Sequence, residues 1–358
     1  RNKLKFTMKQ KTLLFILFLL STLMASAYDA QVDGVYYNLI AKAKQAEVTS
    51  GDTKYAGNVN IPESVTYNGV NYVVTSIEAG AFYDCVDLTS VTIPSNVTEI
   101  GNSAFEGCSG LTSLEIPNGV TFIGTDAFTG TAWLDNQPEG LLYIGKVVYK
   151  YIGTMPENTS ISLKEGTTAI VGKAFHECSG LISIDIPNTV TSIGMGAFTY
   201  CSNLTSVIIP QGVTSIGTSA FNSCYSLASV SIPNSVTSIG SGSFYKCKAL
   251  TEIVIPNSVI EIGYNAFQNC SNLTSVIIGN SVTLLNNSAF SGCSRLTDVY
   301  CYVENVPSTG SNVFTESTIR STTLYVPALA LENYKNSEPW SGFGNIVALD
   351  DEQVVEDV

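Results

Sequence analysis

The sequence predicts a repeat solenoid built from β-rich 23-residue coils, each with two short strands plus a helical turn. Two periodicities carry this. Phe82, Phe105, Phe128, Phe175, Phe198, Phe221, Phe244, Phe267 and Phe290 form one series, with Phe314 one residue late, and all but two of its steps are 23 residues. Cysteines follow three residues behind, at Cys85, Cys108, Cys178, Cys201, Cys224, Cys247, Cys270 and Cys293. The shared unit reads V-T-S-I-G-x-x-A-F-x-x-C-x-x-L-T-S-V-x-I-P-N. Self-similarity at a fixed period in this range is the signature of a stacked-repeat architecture.

The unit's physics follows its letters. Leu227-Ala228-Ser229-Val230-Ser231-Ile232-Pro233 ends in a period-2 alternation, with Val230 and Ile232 on one side and Ser229 and Ser231 on the other. Pro233 cannot donate to a ladder and ends that strand. V-T-S-I-G is a second short strand. A-F-x-x-C-x-x-L has a spacing near three, which suits one inward-facing turn of helix. One unit cannot bury its apolar side alone, so stacking must supply the core. Each buried Phe then contributes about 1.5–3 kcal/mol.

This unit closely resembles the BspA-like leucine-rich-repeat family of bacterial surface proteins. The resemblance covers roughly residues 60–345. It implies a leucine-rich-repeat solenoid, horseshoe-like and α/β in class. It also implies a surface or secreted interaction protein linked with adhesion to host matrix proteins or other cells.

The remaining segments divide the chain. Met8, Lys9 and Lys11, the apolar run from Leu13 to Leu20, and Ala25-Ser26-Ala27 have the order of a secretory signal. Residues 1–27 are read as that signal, cleaved near Ala27. Residues 28–75 are the expected N-terminal cap, with a hairpin signal at Asn68-Gly69. Coils are expected over 76–134 and 161–320, interrupted by a β-hairpin insert over 135–160. A C-terminal cap over 321–348, plugged by Trp340 and Phe343, precedes an acidic tail over 349–358. Val306-Pro307-Ser308-Thr309-Gly310 looks like a sorting signal but lacks the apolar segment and basic tail that one needs, and is read as part of the C-terminal cap.

Charge narrows the partners. Five of the 17 basic residues lie before residue 28, where no acid occurs, which leaves 12 against 30 acidic residues, a net of −18. Nucleic acid is disfavoured, because its binding rests on neutralising phosphates. No segment after the signal has about 20 continuous apolar residues, so membrane insertion after cleavage is not expected. The expected location is secreted or cell-surface.

Chemistry-bearing residues are few. The one histidine, His176, sits in the slot after the repeat Phe, which elsewhere holds Tyr83, Glu106, Thr199, Asn222, Tyr245, Gln268 and Ser291. A slot so permissive reads as solvated. One His cannot build a common zinc site or a nucleophile pair in every coil, so no catalysis, metal or cofactor is expected. The cysteine row has three readings: disulfides, a metal ladder, or buried thiols. Thr131 and Ser317 replace Cys in two coils. A slot open to Cys, Thr and Ser selects small size and a weak donor rather than pairing, which favours buried thiols.

Function is expected on the outward strand positions Thr92, Glu115, Asp185, Ile208, Ser231, Val254, Ile277 and Tyr300. The first three are polar or acidic. Ile208, Val254, Ile277 and Tyr300 put apolar side chains on a Ser/Thr-rich face, a candidate partner site. Phe122 and Leu284 break the polar row of the second strand in the same way. The insert offers Tyr143, Tyr149 and Tyr151, either packing on the solenoid flank or projecting toward a ligand. The expected partner is an extracellular protein (host matrix or surface) or a glycan, bound by a monomer; an architectural spacer for a missing domain is the alternative.

Overall fold

The computed structural model describes residues 28–349. The signal segment 1–27 and the acidic stretch from Asp350 onward lie outside the described residues. The described residues divide into two units: those up to 115 with 127–134, and 116–126 with those from 135 onward.

The first unit opens with antiparallel strands Ala30–Val32, Val35–Ile40 and Gln45–Thr49. Gln45–Thr49 then pairs in parallel with Val70–Ile77. That strand also takes Ser64–Tyr67 as a hairpin partner. Asn68 and Gly69 both have positive φ, 50° and 77°, as the two central positions of a tight hairpin turn require. From there the pairing is parallel, coil to coil. Val70–Ile77 pairs with Glu99–Ile100. Gly57–Asn60, Leu88–Thr92 and Ser113–Glu115 form the other ladder. The antiparallel strands cover an edge that would otherwise present unpaired backbone.

The second unit has two parallel ladders. The short V-T-S-I-G strands align along Ala169–Ile170, Ser192–Ile193, Ser215–Ile216, Ser238–Ile239, Glu261–Ile262, Leu284–Leu285 and Ser308–Thr309. Ser308 and Thr309, the centre of the sorting-like pentapeptide, are thus an ordinary rung. The other strand of each coil pairs along Thr159–Ser162, Leu181–Asp185, Ser206–Ile208 and Ser229–Ser231. It resumes along Glu252–Ile255, Ser275–Ile278, Asp298–Cys301, Thr323–Val326 and Asn345–Ala348.

The third side of the coil is made of two linked turns rather than a regular helix. Cys224 N–H donates to Phe221 O, and Leu227 N–H to Cys224 O. Two positions per coil take the left-handed conformation, two before and two after the Phe, as at Ser219 and Ser223. That frees the intervening N–H groups to reach the neighbouring coil. Phe198 N–H donates to Ala220 O at 2.7 Å, and Tyr200 N–H to Asn222 O at 2.9 Å. The turn side is therefore a third hydrogen-bonded ladder, which a helix would have forfeited.

The Phe side chains form a continuous stack in the second unit, from Phe175 to Phe314. Ring centroids lie 5.1–5.9 Å apart and ring planes within 15° of parallel. Trp340 and Phe343 close it edge-on against Phe314, at 5.4 and 5.2 Å. In the first unit Tyr55 begins the stack, 4.4 Å from Phe82. Its hydroxyl donates to Thr49 O and accepts from Tyr36 N–H.

The expected insert is corrected. Gly140–Ile144 and Val147–Ile152 do form a hairpin, but its second strand is a rung, pairing Val147 with Ala169 and Val148 with Ile170. Tyr151 N–H donates to Ala174 O at 2.8 Å, the bond that the repeat Phe makes elsewhere. Residues read as an interruption are a coil in which Tyr151 stands at the Phe position. The 47-residue step is then 23 and 24, one degenerate coil.

Candidate functional site

The outward strand positions line up because parallel strands one coil apart pair like with like. In the first unit Thr92 faces Glu115, and both are exposed. In the second, Asp185 is exposed and Ile208 pairs with Ser231. Ile208 is 73% exposed but has a serine beside it.

An uninterrupted apolar column begins at Val254. It continues through Ile277, Tyr300, Tyr325 and Val347, each paired with the next. All five side chains are partly or well exposed. Tyr300 and Tyr325 stack at 4.4 Å with planes 8° apart. Two residues earlier on the same strands runs a polar column: Glu252, Ser275, Asp298, Thr323 and Asn345. The Tyr325 hydroxyl donates to Asp298 Oδ1, and Asp298 Oδ2 accepts from Thr297 Oγ1. Those bonds hold the aromatic pair against the polar column. Burial foremost, then the neighbouring Tyr300 and Asp298, push the Tyr325 phenol up.

Tyr325 and Val347 were missed in the sequence reading. Leu324-Tyr325-Val326-Pro327 carries the alternation that would have placed Tyr325 outward. Asn345–Ala348 has no proline stop and no Phe in register, so nothing marked Val347.

The tyrosines of residues 135–160 do not make a projection. Tyr149 is 3% exposed and is corrected from a candidate contact to a core residue. Tyr143 and Tyr151 pack against the core. The Tyr143 hydroxyl accepts from Lys164 N–H, and Lys164 Nζ lies 4.3 Å from its ring centroid.

Six of the nine cysteines share one geometry. Each Sγ from Cys201 to Cys293 donates to the carbonyl of the Phe one coil earlier: Cys201 to Phe175 O, Cys224 to Phe198 O and Cys247 to Phe221 O, all at 3.1–3.2 Å. Cys270 and Cys293 repeat the bond, as does Cys108 to Phe82 O in the first unit. Ser317 Oγ reproduces it with Phe290 O. Thr131 keeps a donor but turns it to Phe128 O of its own coil. All nine cysteines are buried and unbridged. Burial pushes the thiols of Cys178 and Cys293 up to about 12 and that of Cys301 up to about 11. The thiols of Cys85 and Cys108 act on each other, which pulls Cys85 down and pushes Cys108 up.

His176 is exposed, edge-on to Tyr200 at 5.9 Å. In the same slot Thr199 and Ser291 are buried, so it is solvated in most coils but not all. Among the described residues no group of three or more His, Cys, Asp or Glu is placed to hold a metal ion. Among them, too, no helix is long and apolar enough to cross a membrane.

A family model described as a BspA type leucine rich repeat region, in 6 copies, matches residues 75–151, 143–233 and 214–335. The chain is also similar to solved structures. A leucine-rich repeat protein from Bacteroides ovatus is 25% identical over 90% of this chain and 100% of that one, with a TM-score of 0.36. A leucine rich cell surface protein from Faecalibacterium prausnitzii is 24% identical over 92% and 96%, at 0.33. The pneumococcal vaccine antigen PcpA is 15% identical over 90% and 98%, at 0.44. No curated protein matches the chain in sequence.

Proposed function

Since the chain belongs to the BspA-type leucine-rich-repeat family, we propose that it is an exported, non-catalytic binding protein. It holds extracellular proteins, of a host or a neighbouring cell, against the outward face of its parallel strands. The observation that carries this is the column Val254–Ile277–Tyr300–Tyr325–Val347 beside its polar neighbour column. An apolar, aromatic strip rimmed by polar groups has the make-up of an interface core and rim. Tyr300 and Tyr325 are its anchors, being large, amphipathic and already ordered by stacking. The charged, apolar and A-x-A order of residues 9–27 supports export, which would bring this face to extracellular partners.

Pull-down of immobilised matrix and cell-surface proteins with the purified protein tests the reading. Capture is expected. The double variant Ile277→Asp, Tyr300→Asp is expected to weaken it about tenfold or more, because it buries two carboxylates in the interface core. Unchanged capture by that variant would remove the strip from the account, and no capture of any panel member would favour an architectural spacer.

A further inference from the structure

The turn side of the second unit carries an open cleft of about 300 Å³ that spans three successive coils. Two tyrosines frame it: Tyr245, partly buried, and Tyr264, 51% exposed. Three planar amides converge on it, those of Asn222, Asn265 and Gln268. Ser219 and Ser241 add hydroxyls, and no charged side chain lines it.

These groups sit together because of the coil's backbone. Ser219, Gly242 and Asn265 occupy the same left-handed turn position in adjacent coils, with φ of 57°, 60° and 56°. The middle one has no side chain. A Cβ at Gly242 would lie 3.5 Å from Ser219 Oγ and 3.8 Å from Tyr245 Cβ, so the missing side chain is what opens the cleft. Asn222 Oδ1 already accepts from Ser223 Oγ. Among the described residues the side-chain amides of Asn265 and Gln268 have no hydrogen-bond partner.

We propose that this cleft binds a neutral saccharide. Each amide offers donors and an acceptor in one plane, which matches the paired hydroxyls of a sugar ring. Tyr264 gives an exposed π-face for the ring's C–H side. Among the described residues no charged side chain lines the cleft, and the nearby cation, Lys246 Nζ, lies 5.0 Å from the Tyr245 ring centroid, so the lining itself fits a neutral ring. A second open cleft takes Tyr200 and Tyr225 from adjacent coils, with Glu177 in its lining and Lys248 Nζ 5.3 Å from the Tyr225 ring centroid. Asn222 lines the first cleft and Tyr225 the second, so an oligosaccharide of several residues can reach both. This site lies on the turn side of the coil and does not depend on the strand face.

The test is titration of the purified protein with neutral hexasaccharides of β-glucose, α-glucose and β-mannose, followed by calorimetry. At least one is expected to bind with a Kd of about 1 mM or tighter. Tyr264→Ala and Gly242→Asn are each expected to weaken it about tenfold or more. Asn265 and Asn312 adopt the same conformation at this position, so Gly242→Asn fills the cleft without straining the backbone. The Ile277→Asp, Tyr300→Asp variant is expected to bind the sugar normally. The proposal is overturned if no hexasaccharide binds up to about 10 mM, or if binding survives both cleft variants. It is equally overturned if those variants lose a captured protein partner while no sugar binds.

Discussion

At the scale of single residues, the repeat exposes its own exceptions. The small slot before each Phe holds alanine in most coils, and in one it holds Ser243, whose Oγ is fully buried without a hydrogen-bond partner. Removing an unsatisfied hydroxyl from a site that accepts alanine is favourable. Ser243→Ala is therefore expected to stabilise the protein by about 1 kcal/mol, read as a higher urea midpoint at constant m. A lower midpoint would mean that Ser243 has a role the structure does not show. The cysteine slot teaches the complementary lesson. Thr131 and Ser317 made its tolerance for small donors visible in the sequence. What the donor meets was not visible, because the Phe carbonyl comes from the coil before, and spacing within one coil says nothing of the neighbour's position.

At the scale of elements, the strands were legible and the turn side was not. Alternation around Val230 and Ile232 fixes one strand, and Pro233 stops it. By contrast A-F-x-x-C-x-x-L has helical spacing, yet it folds as two linked turns. The cause is the pair of left-handed residues around each Phe, which include Ser219, Lys246 and Asn269 as well as glycines. With no single residue type at those positions, no letter announced them. The coil of Tyr151 escaped for a related reason: its Phe is a Tyr, its step is a residue long, and its strand carries no V-T-S-I-G. The Phe stack is the strongest inter-coil element that the sequence did announce. Phe221, wholly buried between Phe198 and Phe244, is expected to cost about 3–5 kcal/mol on truncation to Ala. Equilibrium denaturation measures this, and a loss below about 1 kcal/mol would show that the coils can close over the gap.

At the scale of the whole molecule, the buried thiols make stability depend on pH. In the unfolded chain they ionise from about pH 8.5. In the folded protein burial holds all but Cys85 protonated to higher pH, Cys301 to about 11 and Cys178 and Cys293 to about 12. The folded state therefore binds more protons above pH 8.5. The contribution is fully present below that pH and is lost as pH rises toward 11–12, by about 1.4 kcal/mol per unit for each such thiol. The denaturation midpoint should fall steeply between about pH 8.5 and 10; a flat profile would contradict the buried-thiol ladder.

The central claim is that the outward strand column is the partner-binding surface. Side-chain footprinting by hydroxyl radicals, with and without a captured protein partner, tests it most directly. The account predicts that Tyr300 and Tyr325 lose most of their reactivity on binding while Tyr83, exposed on a turn of the first unit, keeps its own. Full reactivity of Tyr300 and Tyr325 in the complex would contradict it.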